Sequence, residues 1–161
     1  MVLTGYYEHG IDEKNRLAIP AKLRNRLDLD REGPQLVLVP SRRPRTLCLY
    51  TERQFDAMST YGRPSLLPDT NLSEFESIYF SIAEHLDLDS QGRVVIPDRL
   101  LRPSGLGREV VVCGVRDHIE IRSREDFYRD LERYQASAEE IQARALEALR
   151  RAEAEGRQPG R

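Results

Sequence analysis

A short motif that occurs twice in the chain restricts the possible folds more than any other feature of this sequence. The first copy is Asp12-Glu-Lys-Asn-Arg-Leu-Ala-Ile-Pro20, and the second is Asp89-Ser-Gln-Gly-Arg-Val-Val-Ile-Pro97. Asp, Arg, Ile and Pro keep the same spacing in both copies. A second pair of similar segments follows in the same order, at 47–55 and 119–127. Two related structural halves that cover almost the whole chain are therefore expected.

The apolar pattern of each half predicts the same series of elements: strand, turn, strand, short helix, strand, turn, strand and helix. We assign residues 1–60 to the first half and residues 78–128 to the second, with a connecting loop and helix at 61–77. Residues 129–155 are predicted to form a long C-terminal helix, and the polar residues 156–161 a disordered tail. The predicted fold class is α+β and rich in β-strands.

The centre of each motif predicts a tight turn. Asn15 and Gly92 occupy equivalent places directly before the Arg, and both residue types tolerate a positive φ. Pro20 and Pro97 follow short β-rich runs. Because proline fixes φ and lacks an N–H, each of them can begin the short helix that follows. The motif thus predicts a turn, a strand and the start of a helix in quick succession.

The C-terminal segment carries a narrow apolar stripe on an otherwise charged helix. Apolar residues recur there at alternating gaps near 3.5 residues, a spacing that suits packing along another helix. Docking on the chain's own sheet is the alternative interpretation of the same stripe. The residues of the stripe are Phe127, Leu131, Tyr134, Ala138, Ile141, Ala145, Ala148 and Ala152.

The charge of the chain is nearly balanced as a whole but uneven along its length. With 25 basic and 27 acidic residues among 161, the net charge is -2, which is not typical of a DNA-binding domain. Segments 12–26, 41–53 and 92–108 each carry a local charge of +3, whereas 69–90 contains six acidic residues and no Lys or Arg. Basic surfaces are therefore expected locally, with acidic residues offsetting them in the sum.

Other features of the sequence limit its function class. Cys48 and Cys113 both lie in apolar, strand-like runs, which favours buried, reduced thiols in a cytoplasmic protein. The longest apolar run has six residues, so neither a membrane-spanning helix nor a secretory signal is expected. His9, His85 and His118 are scattered without zinc spacing. No combination of nucleophile, base and orienting group is found, so we expect no metal, cofactor, small-molecule substrate or enzymatic activity.

The repeated Asp-x-x-x-Arg turn has two interpretations. It can be an ion pair that closes a turn, or it can present an Arg that contacts nucleic acid, because the guanidinium fork can bind guanine O6 and N7 together. Its occurrence in two locally basic segments favours DNA binding. Pseudo-twofold symmetry predicts that the two turns lie side by side, an arrangement that suits a DNA groove better than a small-molecule pocket. The predicted base-reading residues are Arg16 and Arg93, the predicted phosphate contacts are Lys14, Lys22, Arg24 and Arg99, and the turn residues are Asp12, Asn15, Asp89 and Gly92.

The motif segments 6–24 and 87–97 resemble the two motifs of the MraZ family of bacterial transcriptional regulators, which contain two AbrB-like (SpoVT-type) halves. The resemblance covers roughly residues 1–140. It implies swapped hairpins that form a β-barrel-like core, a ring-shaped homo-oligomer and a location on the nucleoid. It also implies binding to short direct repeats in double-stranded DNA upstream of the division and cell-wall gene cluster, which includes the protein's own gene. Repression is the usual outcome in this family.

Three rival hypotheses remain beside a DNA-binding regulator. The first is an antitoxin-like protein of the AbrB superfamily, whose C-terminal segment binds a protein partner. The second is a structural ring in which the Asp–Arg turns serve only as ion pairs. The third is an enzyme, for which the sequence provides the least support.

Overall fold

The computed structural model describes residues 2–59 and 70–156, and these form an α+β fold, as predicted. The order of elements within each half also follows the prediction, with one extra short helix, α2, in the first half. The strands are β1 (Tyr6–Gly10), β2 (Arg16–Ala18), β3 (Leu36–Pro40), β4 (Thr46–Thr51), β5 (Glu84–Leu86), β6 (Arg93–Val95), β7 (Glu109–Val115) and β8 (His118–Ser123). The helices are α1 (Ala21–Arg24), α2 (Leu29–Glu32), α3 (Glu52–Ser59), α4 (Thr70–Ile82), α5 (Asp98–Ser104), α6 (Arg124–Ala136) and α7 (Ala138–Gly156).

Six strands form one antiparallel sheet in which the two halves are interleaved. Its order is β1-β7-β8-β4-β3-β5. The first strand of each half therefore pairs with a strand of the other half: Tyr6 of β1 lies opposite Cys113 of β7, and Leu36 of β3 lies opposite Leu86 of β5. The central pair, β4 and β8, also joins the halves. This exchange agrees with the swapped-hairpin arrangement, whereas closure of the strands into a barrel stays a prediction.

The other two strands, β2 and β6, form a short antiparallel ribbon from the two motif copies. Its central pair is Leu17 and Val94, and both side chains are fully buried. Two backbone bonds extend the pairing past the strands: Ile19 N–H donates to Gly92 O at 2.9 Å, and Ile96 N–H donates to Asn15 O at 2.9 Å. Each turn is thus tied to the strand of the other copy.

The main hydrophobic core lies between one face of the sheet and the ribbon with its short helices. Leucine, isoleucine and valine side chains from both halves supply it. Strand β3 contributes to two cores, since Leu36 and Leu38 join the main core while Val37 and Val39 join a smaller one with Cys48 on the opposite face. A strand that is buried on both faces needs apolar side chains at successive positions, which explains why β3 is a continuous apolar segment.

The helix starts follow local signals in the sequence. Pro20 and Pro97 sit directly before α1 and α5, where the missing N–H costs no hydrogen bond. Thr51 Oγ1 accepts the Gln54 N–H at 3.3 Å and so caps α3. Helix α4 extends to Ile82, five residues beyond the predicted connecting segment, because no Gly or Pro interrupts 70–82. Residues 61–69 of that segment lie outside the described residues.

The chain divides into two compact units, Met1–Arg124 and Glu125–Arg161. The second unit contains the long C-terminal helix, which begins earlier than predicted and is divided at Ser137 into α6 and α7. Ser137 N–H still donates to Arg133 O at 3.1 Å, so helical hydrogen bonding continues through the division. Leu146 and Leu149 of α7 are 56% and 61% exposed. Of the predicted tail, residues 157–161 lie outside the described residues.

Candidate nucleic-acid interface

The first turn is organised by the carboxylate of Asp12. One of its oxygens accepts the backbone N–H of Lys14 and of Arg16, both at 2.9 Å, and the other accepts Arg16 Nε–H at 2.6 Å. The backbone closes the same loop, since Asn15 N–H donates to Asp12 O at 2.9 Å and Asp12 N–H donates to Arg16 O at 3.1 Å. The carboxylate therefore fixes both the turn and the direction of the guanidinium that follows it.

The second turn repeats this geometry almost atom for atom. The Asp89 carboxylate accepts the N–H groups of Gln91 and Arg93, both at 2.9 Å, and Arg93 Nε–H at 2.8 Å. Gly92 N–H donates to Asp89 O at 2.8 Å. The ion-pair interpretation of the motif is therefore correct as a description of the turn. Asp89 also lies 2.8 Å from Nη2 of Arg93, whereas Asp12 contacts Arg16 through Nε. A DNA contact is not excluded, because a guanidinium has five N–H donors and each Arg keeps at least three of them.

The backbone of the two turns confirms the predicted positive φ. Asn15 has φ 58° and Gly92 has φ 71°. Gly92 has a further constraint, since a Cβ built there would lie against the guanidinium of Arg24. Arg24 in turn donates to Gln91 O at 3.2 Å. A side chain at position 92 would therefore disturb both the turn and one predicted phosphate contact.

We expect Gly92→Ala to lower the free energy of unfolding by about 1–2 kcal/mol, the usual cost of a left-handed conformation for a residue with a Cβ. Urea unfolding of the variant measures this loss. Gly107→Ala is the matched control, because no atom lies within 4 Å of a Cβ built there. Equal stability of the two variants would contradict the structural role of Gly92.

Arg16 and Arg93 project from the same face of the ribbon. Arg16 pairs with Val95 and Ala18 pairs with Arg93, so these four side chains share one face, which we call the ribbon face. The opposite face carries the buried Leu17. The two arginines are two residues apart along the ribbon, or about 7 Å. The turns themselves extend from opposite ends of the ribbon rather than lying side by side, because antiparallel pairing reverses the second copy.

Two residues that the sequence analysis did not select hold the first turn in place. Asn15 Nδ2–H donates to Asp98 Oδ1 at 2.7 Å. Arg108 donates to Asp12 O at 2.6 Å and to Asn15 Oδ1 at 2.9 Å. Asp98 begins α5 and Arg108 precedes β7, so both reach the turn from the second half of the chain. The basic segment 92–108 contained Arg108, but its partner could not be read from sequence spacing.

The predicted phosphate contacts are found in different surroundings. Lys14 and Lys22 are exposed on the first turn and on α1. Arg24 lies over the second turn, as described above. Arg99 on α5 forms an ion pair with Glu84, so it is engaged away from both turns. The structure therefore brings Lys14, Arg16, Arg24 and Arg93 to the two turns and ribbon but not Arg99.

The aspartates of the interface have lowered pKa values. Hydrogen bonds from the backbone N–H of Arg16 and Arg93 lower the pKa of Asp12 and Asp89 most, and the Arg side chains add to the effect. A hydrogen bond from Asn15 lowers the pKa of Asp98, with Arg102 contributing. All three carboxylates are therefore stabilised in the charged form that keeps the turns closed.

We expect the stability of the protein to fall on acidification below about pH 4, where an ordinary aspartate begins to take up protons. A carboxylate with a lowered pKa in the folded state stabilises the fold above its unfolded pKa, and this contribution is lost as the pH falls through the folded value. Urea unfolding at a series of pH values measures the effect. Asp89→Asn should reduce the acid-dependent loss, while Asp56→Asn, an exposed aspartate of α3, should preserve it.

Comparison with known proteins identifies the family. The sequence profile described as "MraZ protein, putative antitoxin-like" matches residues 2–65 and 79–149. The chain belongs to the MraZ family. Both Asp–Arg turns and the whole β2–β6 ribbon fall inside the residues that match the MraZ profile.

Several named MraZ proteins are similar to the chain over most of its length. The transcriptional regulator MraZ of Syntrophomonas wolfei is 34% identical over 137 residues, which cover 85% of the chain and 92% of that protein. Those of Clostridium tetani and Symbiobacterium thermophilum are 31% and 32% identical, covering 76% and 73% of the chain and 82% and 80% of those proteins. In residues 2–59 and 70–156, no helix is long and apolar enough to cross a membrane.

Proposed function

We propose that the protein is a sequence-specific DNA-binding transcriptional regulator whose ribbon face enters the major groove. The observation that carries the proposal is the pair of arginines on this face, each held by the carboxylate four residues before it. The names of the MraZ relatives support regulation of transcription. The major groove admits a two-stranded β-ribbon, so the size of the element is suitable.

The geometry of the arginines suits base recognition. Asp12 and Asp89 engage Nε–H of Arg16 and Arg93, which restricts each side chain before DNA arrives. A restricted side chain loses less conformational entropy on binding. The remaining donors of a guanidinium can bind O6 and N7 of a guanine. A separation of about 7 Å along the ribbon corresponds to about two base steps.

Phosphate contacts would come from the residues beside the ribbon. Lys14 lies on the first turn and Lys22 on α1, and both are exposed. Arg24 lies against the second turn. Such contacts fix the position of a protein on the duplex without reading its sequence. We expect Arg99 to contribute less to DNA binding, because a phosphate would have to compete with Glu84 for its guanidinium.

The proposal extends to a ring-shaped homo-oligomer that is located on the nucleoid, in the cytoplasm. This ring would repress the division and cell-wall gene cluster, including its own promoter. One protomer offers a ribbon of only three residue pairs. Linked weak contacts raise the effective concentration of each further contact, so short direct repeats would bind far more tightly than a single copy. Local basic charge on such a ring is compatible with a nearly neutral chain, since fields are screened within about 10 Å.

A titration with DNA from upstream of the protein's own gene, against scrambled DNA of the same length, tests the proposal at two salt concentrations. We expect preferential binding to the upstream DNA that weakens as salt rises, because phosphate contacts release counterions. A second comparison, between one repeat and several, tests the oligomer. Equal or absent binding to both DNAs would overturn the proposal.

A second candidate function is binding of a protein partner, as in an antitoxin. The exposed leucines of α7, Leu146 and Leu149, favour it, as does the antitoxin-like description of the family profile. Purification of the full chain from its own organism decides between the two. A partner present in equal amounts, together with absence of DNA binding, would favour this function over regulation of transcription.

A further inference from the structure

Three side chains of the types that bind transition metals converge on the sheet face opposite the main core. Cys48 lies on β4, and His118 and Glu120 lie on the neighbouring strand β8. Cys48 is the register partner of Glu120, and His118 is two residues before Glu120, so all three share one face. One sulfur, one imidazole nitrogen and one carboxylate oxygen lie within 4.8 Å of one another.

The imidazole of His118 is already oriented for such a role. Its Nδ1 lies 2.9 Å from Asp117 Oδ1, and its Nε2 lies 3.7 Å from Glu120 Oε1. In metal sites, a histidine ligand commonly donates its second ring N–H to a carboxylate, which fixes the tautomer and the ring direction. The ring of Tyr50 stacks on that of His118 with centroids 4.9 Å apart and limits its rotation further.

The three ligands are among the residues that line a groove of about 1200 Å³. The residues that line the groove with them include the aromatic side chains of Tyr50, Phe55 and Tyr79, and also Arg42 and Arg43. Cys48 is 6% exposed, while the side chains of His118 and Glu120 are 16% and 13% exposed. An ion can therefore be held away from bulk water while one side of its coordination sphere faces the groove.

Two carboxylates face the imidazole of His118. Asp117 lies against Nδ1, and Glu120 faces Nε2. Arg122 Nε lies 4.0 Å from the second oxygen of Glu120, so this carboxylate is shared with a cation of the same strand. Binding of a divalent ion would release the proton of the Cys48 thiol, and any proton on Nε2 of His118, to solvent.

We propose that Cys48, His118 and Glu120 form a binding site for one divalent transition-metal ion of the Zn²⁺ class, with a fourth coordination position open to the groove. Bonds of about 2.0–2.3 Å place tetrahedral ligands about 3.3–3.8 Å apart, so movements of roughly 1 Å would bring the ligands into place. A thiolate and an imidazole favour Zn²⁺ or Co²⁺ over Mg²⁺ and Ca²⁺, which prefer oxygen ligands. Sequence spacing did not group these residues, because Cys48 and His118 belong to different halves.

A titration of the metal-free full-length protein with Co²⁺ tests the site, since Co²⁺ takes the same ligands and has a visible spectrum. We expect one ion per chain, with a near-ultraviolet thiolate-to-metal band. Cys48→Ser should abolish the band, whereas the matched variant Cys113→Ser should keep it, because Cys113 lies outside the cluster. Asp117→Asn should weaken binding about 10–100-fold by releasing the ring of His118. A band that persists in Cys48→Ser, or absence of binding, would overturn the proposal.

A second measurement keeps the test independent of the folding of Cys48→Ser. The chain has two cysteines, so Cys48 is the sole thiol of Cys113→Ser. Zn²⁺ should slow the reaction of that thiol with an alkylating reagent, and an equal concentration of Mg²⁺ should not. An alkylation rate unchanged by Zn²⁺ would contradict ligation by Cys48, whatever the Co²⁺ titration gives.

Discussion

Replacement of Arg16 and Arg93 by alanine is expected to abolish preferential binding to the upstream DNA while the protein stays folded. A bidentate contact between Arg and guanine discriminates by about 1–3 kcal/mol, so each protomer would lose two such contacts. The fold should tolerate the change, because partly exposed ion pairs contribute only about 0–1 kcal/mol. The Asp12 carboxylate also keeps its two backbone donors when the side chain is removed. Fluorescence anisotropy with labelled DNA, together with thermal unfolding, measures both effects.

Two controls separate base reading from general charge. Arg16→Lys keeps the charge but not the fork of donors, so it should retain salt-dependent binding and lose the preference for the upstream DNA. Arg31→Ala removes a cation from α2, where the Arg31 side chain is 82% exposed, and should leave the preference unchanged. Normal preferential binding by the double variant of Arg16 and Arg93 would show that the ribbon face does not read DNA.

Substitution of Leu17 by alanine is expected to produce the largest loss of stability among single changes in the ribbon. Leu17 is fully buried in the main core, and its register partner Val94 is buried with it. Removal of a buried leucine side chain costs about 2–5 kcal/mol, since the surrounding atoms fill the cavity only in part. Urea unfolding measures the loss, and DNA binding should fall with the folded fraction.

Val95→Ala is the matched control within the same ribbon. Val95 is 56% exposed on the ribbon face, so its replacement should change the free energy of unfolding by less than about 0.5 kcal/mol. Any effect of Val95→Ala on DNA binding would then arise at the interface and not through stability. Similar destabilisation by Leu17→Ala and Val95→Ala would contradict the division of the ribbon into a buried and an exposed face.

Local sequence patterns predicted those parts of the structure that depend on neighbouring residues. The repeated motif gave the turn, the positive φ of Asn15 and Gly92 and the helix starts after Pro20 and Pro97, because each is decided within a few residues. The α+β class followed from the order of these elements.

Contacts between the two halves could not be predicted in this way. Asp98 and Arg108 reach the first turn from more than 80 residues away. The opposite directions of the two turns follow from the pairing of β2 with β6, and the Cys48–His118–Glu120 cluster follows from the pairing of β4 with β8. Neither register is encoded in the spacing of a single segment, because it depends on how both halves bury their apolar faces together.

The interleaved sheet has a consequence for biosynthesis. Tyr6 of β1 pairs with Cys113 of β7, so the first strand leaves the ribosome long before its partner exists. At a synthesis rate of about 5–20 residues per second, β1 waits roughly 5–20 s for β7. During that interval its unpaired edge and the apolar segments beside it are open to the strands of other nascent chains. Neighbouring ribosomes on one message therefore offer each chain a competing partner, and chaperone protection of the first hundred residues should raise the yield of correctly paired protein.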